Sequence, residues 1–182
     1  MATWNAGTGN WTTTSNWEDD FAPINGLAVE YAGPLGTNGT STNDDLELAN
    51  ISGLTFTSGA NGSFTVAGGA LEIGDGGIVN NSTFTQTVGL NLALGANQTF
   101  AANTANLVVS GNITGSYSLI KEGNQTLVLA GTNTYTGGTT VKSGTVVVSG
   151  NNTSGGGYVV GATTGDNGTL QLTGGSISTS TL

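Results

Sequence analysis

A short unit recurs along this chain: an apolar residue, any residue, a second apolar residue, then Gly, Ser or Thr close behind. Leu54/Phe56, Phe64/Val66, Leu71/Ile73 and Leu90/Leu92/Leu94 begin the series, and Leu107/Val109, Leu127/Leu129, Val146/Val148 and Leu170/Leu172 continue it. The residue between is often polar, as at Thr55, Thr65, Glu72, Asn91 and Gln171. Alternation with a period of two marks a strand with one buried face. Gly, Asn, Ser and Thr fill the intervals, and these are turn formers.

From Leu71 through Leu92, Leu107, Leu127 and Val146 to Leu170 the gaps are 21, 15, 20, 19 and 24 residues. That spacing suits one coil of a β-solenoid per unit, and it overlaps the period of leucine-rich repeats. The return paths, however, are rich in Gly, Thr and Asn and show no helical periodicity. A sandwich of antiparallel hairpins would also show short strands between turns. The spacing favours the solenoid: an all-β, parallel β-helix whose core is the apolar pairs above, with essentially no α-helix.

The composition fits that fold. Charged residues are 7%, against about 25% in ordinary globular proteins. Hydrophobic residues are 36%, low enough for disorder, but their regular alternation argues for packed strands. Coils stacked at about 4.8 Å satisfy the backbone through their own ladders. Like charges stacked in register would repel, whereas Thr and Asn form ladders, and glycine turns corners.

Residues 1–45 differ from residues 46–182. Trp4, Trp11 and Trp17 all lie here, with both prolines and six of the eleven acids. Two readings of the tryptophans compete: an N-terminal cap over the open end of the solenoid, whose edge strands would otherwise invite association, or a carbohydrate-stacking platform. The cap is favoured, giving a cap segment at 1–45 and β-helix coils over 46–182. Met1 is followed by neither a basic start nor an apolar stretch, so no signal peptide is visible. The expectation is a piece of a larger exported chain whose signal and anchor lie outside it.

Residues 116–150 read SYSLIKEGNQTLVLAGTNTYTGGTTVKSGTVVVSG. This stretch resembles the autotransporter-associated β-strand repeat of bacterial surface and secreted proteins. The matching positions are Leu119, Lys121, Gly123, Thr126, Leu127, Leu129, Gly131, Asn133, Thr134, Tyr135, Gly137, Gly138, Thr139, Val141, Gly144 and Val146. The resemblance implies right-handed winding and a secreted or cell-surface passenger segment of structural or adhesin-like character. It also implies a glycan or a host or cell-surface receptor as partner. Self-association through solenoid ends into a fibre is the alternative, and a polysaccharide-binding or polysaccharide-cleaving β-helix comes third.

Chemistry is sparse. The chain has no His, no Cys and no Arg, and its bases are Lys121 and Lys142. Clustered cations for nucleic acid or an anionic membrane surface are therefore missing, and no transmembrane run exists. Triads built on His and thiolate zinc sites are excluded. Carboxylate pairs remain at Asp19/Asp20, Asp44/Asp45 and Glu72/Asp75, but neighbours on a strand point to opposite faces, which is poor geometry for a paired acid and base. The turns GDGG at 74–77 and GDNG at 165–168 lack the regular recurrence of a calcium repeat and read as ordinary Asp turns. Twelve Asn-x-Ser/Thr sites read as turn grammar. No enzyme activity, cofactor or metal is expected.

Overall fold

The computed structural model describes residues 1–32, 39–43, 49–153 and 155–178. Every strand pair in its ladders is parallel, and successive strands of one ladder lie about one coil apart in sequence. Each coil crosses three faces in turn. One coil runs through Gln98–Ala102 on the first face, Leu107–Val109 on the second and Ile113–Gly115 on the third. The next returns through Leu119–Glu122 to the first. Among the described residues there is no α-helix, only 3-10 turns at Thr14–Asn16 and Glu18–Asp20.

The ladders explain the alternation. On the second face the inward column is Ser41, Val66, Val88, Val109, Leu129 and Val148, each buried and each in register with the next. On the first face it is Val29, Leu54, Ile78, Phe100, Lys121 and Val141. Coil length on this face falls steadily. Partners from Ala2 to Val160 are 27, 25, 24, 22, 21, 20 and 19 residues apart. A longer coil encloses more volume, and the inward side chains change to match. Trp4, Tyr31 and Phe56 fill the early coils, Leu127, Val141 and Val146 the later ones. Filling the interior to crystal-like density requires that match.

Two expectations need correction. The run from Leu71 to Leu170 mixes faces. Leu71 and Leu92 pair on the third face, whereas Leu107, Leu127, Val146 and Leu170 pair on the second. The 15-residue gap between Leu92 and Leu107 is thus the distance between faces, not a coil. Nor is the last apolar pair core: Leu172 is 52% exposed and Leu170 only partly buried, because no described coil lies beyond them.

The expected boundary at 45/46 and the Asp44/Asp45 pair lie outside the described residues. The ladders themselves begin at residue 2, where Ala2–Trp4 pairs Val29–Tyr31, and that strand pairs residues 54–56.

Candidate functional site

Residues 119–148 make one and a half coils. Leu119, Leu127, Leu129, Val141 and Val146 are all fully buried inward positions. Gly137 and Gly138 form the corner between the third and first faces. Gly123 turns another corner at φ +79°, where an added Cβ would lie 2.3 Å from the Ala102 carbonyl oxygen. Only glycine fits there, because the conformation and the space both exclude a side chain.

Lys121 is the unexpected member. It stands in the inward column between Phe100 and Val141 with no exposed surface. Its hydrocarbon stem fills the core position, and its ammonium reaches the corner. There Nζ donates to the carbonyls of Glu122 at 2.6 Å, Gly123 at 2.7 Å and Ser143 at 3.1 Å. Two of these acceptors belong to one coil and the third to the next, so the side chain staples the coils. Burial pulls its pKa down to about 8, against the upward pull of the Glu122 carboxylate. Glu122 itself turns outward and pairs with Lys142 at 2.9 Å, one coil on.

Polar side chains also join the coils from inside. Asn133 Oδ1 accepts from the Ile113 amide at 2.9 Å, and the Asn133 amide donates to the Asn151 carbonyl at 2.8 Å. Tyr135 is buried against Thr139, hydroxyl to hydroxyl, and Asn152 Nδ2 donates to the Tyr135 oxygen at 3.4 Å and to Tyr158. Desolvation, and then the neighbouring Tyr135, hold the Tyr158 hydroxyl well above the usual tyrosine range. Sequence reasoning missed Asn152 and Tyr158, and also Asn80, Ser82 and Gln86, which bond one another inside a corner. One signal was available: Asn and Thr recurring a coil apart, as in Asn91, Asn112 and Thr132, where each Oδ1 accepts the next coil's amide.

The tryptophans form a cluster at the other end. Trp4, Trp11 and Trp17 are each 1% exposed. Trp17 meets Trp4 and Trp11 edge to face, at 4.9 and 5.7 Å between ring centroids and 82° between planes in both cases. Trp11 Nε1 donates to Ser41 Oγ at 2.6 Å, and Trp17 Nε1 to the Trp11 carbonyl at 2.8 Å. Trp17 bridges Trp4 antiparallel, and the Asn5 amide donates to the Asn16 carbonyl at 2.9 Å. Asn16 and Trp17 therefore lie along the edge of Ala2–Trp4 that no other described strand pairs.

The acids do not converge. Among the described residues no three of His, Cys, Asp and Glu come together. Asp19 and Asp20 sit at positive φ in an exposed turn, Glu72 and Asp75 are exposed, and Asp166 Oδ2 accepts from its own turn's Thr163 amide.

The class of repeat is found by comparison. Residues 119–148 match the family model described as Passenger-associated-transport-repeat, and this stretch of the chain is a repeat of that class. The chain is also 33% identical over 172 residues to the adhesin BmaC autotransporter of Brucella suis biovar 1 (strain 1330). That match covers 92% of this chain but 4% of the relative's length. No solved structure matches the chain.

Proposed function

We infer that this chain is a non-enzymatic, adhesin-like passenger segment of a secreted or cell-surface bacterial protein, whose coils present a long, rigid surface to a glycan or surface receptor. One observation carries the reading: Lys121, Asn133 and Tyr135, polar side chains of the passenger repeat, are each hydrogen-bonded to a neighbouring coil. They serve the scaffold, and recognition then falls to the outer faces. The adhesin similarity supports the same role.

The finer features belong to the same proposal. Trp4, Trp11 and Trp17 of the 1–45 segment act as an N-terminal cap, supported by the Trp17 bridge along the free strand edge. The winding is right-handed, as nearly all parallel crossovers are. End-to-end stacking into fibres is the second reading.

The test is a glycan and host-cell binding screen of the purified chain, with negative-stain microscopy in parallel. Saturable surface binding by single particles is expected. Spontaneous filaments would favour the fibre, and glycan cleavage lost in Glu72→Gln would overturn the non-enzymatic reading.

A further inference from the structure

The second face carries an outward column as regular as its core column. Thr40, Thr65, Thr87, Val108, Val128 and Val147 lie in register on six successive strands. All are at least partly exposed. A threonine column, Thr126, Thr145 and Thr169, runs beside it. None of the strands of this face contains Asp, Glu or Lys. The first face, by contrast, bears Glu30 and Glu122, and the third bears Glu72.

We propose that this uncharged face is a lateral pairing surface for a second copy of the chain, two solenoids lying side by side. The charge distribution selects that occupant. The chain has a net charge of −9, so copies repel one another wherever their carboxylates meet. The second face is where two copies can approach without bringing strand carboxylates together. Its side chains are β-branched and flat-lying, the kind that interdigitate between facing sheets. The order of the column also fixes an arrangement. A two-fold axis parallel to the solenoid axis sets valine against valine and threonine against threonine, and reversing one copy breaks that match. Six strands at about 4.8 Å and a mean width of about 13 Å give roughly 350–400 Å² per copy. The two copies together bury about 700–800 Å², below the range of stable interfaces, so the pairing is weak and reversible. The proposal does not depend on the adhesin reading.

The test is sedimentation equilibrium of the whole chain over a wide concentration range. A reversible dimer is expected, and it should strengthen as salt screens the net charge. Val128→Lys, which places two ammonium groups together, should weaken the dimer about tenfold or more. Ile120→Lys, outward on the first face, should leave it within about twofold, the change ordinary for a surface site. Should Val128→Lys melt well below wild type, Thr87→Lys repeats the test on the same column. Because the chain has no cysteine, Val128→Cys should form a disulfide-linked dimer under mild oxidation, as the parallel arrangement requires. A monomer at every concentration overturns the proposal. So does a dimer that both Lys variants on the second face leave intact, or one that Leu172→Lys alone abolishes.

Discussion

Lys121 occupies a position that its ladder neighbours Phe100 and Val141 fill with hydrocarbon. Replacing it with Met keeps the stem but strands three corner carbonyls, so Lys121→Met should cost about 1–3 kcal/mol, read by chemical denaturation near neutral pH. The pH dependence separates the charge from the packing. With a folded pKa of about 8, below the ordinary lysine value of 10.5, the unfolded chain binds more protons between those values. Stability therefore rises with pH across that window. Tyr31 and Tyr158 act oppositely, because burial raises both hydroxyls and the unfolded chain loses those protons first, above about pH 10. Subtracting the Lys121→Met curve from wild type removes the tyrosine contribution. A difference that stays flat from pH 8 to 10 would refute the lowered pKa. The repeat resemblance marked Lys121, but a lysine in a sequence reads as surface. Its burial depends on carbonyls from two coils that meet only after winding.

At the scale of strands and turns, alternation made the strand pairs legible one by one. It did not say which face each pair joins, because every face uses the same grammar. Corners were legible as glycine, but not the reason for each glycine. Gly144 and Gly161 make the distinction measurable. Their φ values are +65° and +67°, yet a Cβ on Gly144 would meet the Gln125 and Gly123 carbonyl oxygens at 2.4 and 2.5 Å, and one on Gly161 nothing within 4 Å. Gly161→Ala should cost only the left-handed conformation, about 1–2 kcal/mol. Gly144→Ala must also push two coils apart and should exceed about 3 kcal/mol, in the range reserved for strain and overpacking. Equal losses in thermal unfolding would mean that conformation alone selects glycine at these corners.

Across the whole molecule, stability should be graded along the solenoid axis, because each coil contacts only its neighbours. The middle coils are covered on both sides, and Leu107, Leu127 and Val146 have no exposed surface. In the last described coil the inward columns through Val141 and Val148 end in Val160 and Leu172, half open to solvent. At the first coil the edge of Ala2–Trp4 is closed by the Trp17 bridge and the indole cluster. Local opening follows such differences in cover. Hydrogen exchange should be fastest, among strand amides, at 158–160 and 169–172, and slowest at 107–109, 127–129 and 146–148. Trp11→Ala removes a buried indole and its bond to Ser41, a truncation worth about 3–5 kcal/mol at a core site. If coils are coupled only to neighbours, that loss stays local: exchange should rise at 2–4, 29–31 and 40–42 while 127–129 keeps its wild-type protection. Acceleration that reaches 127–129 equally would show the chain unfolding as one cooperative block. No change at 2–4 would show that the cluster does not hold the first coil, and the proposed cap would fail with it.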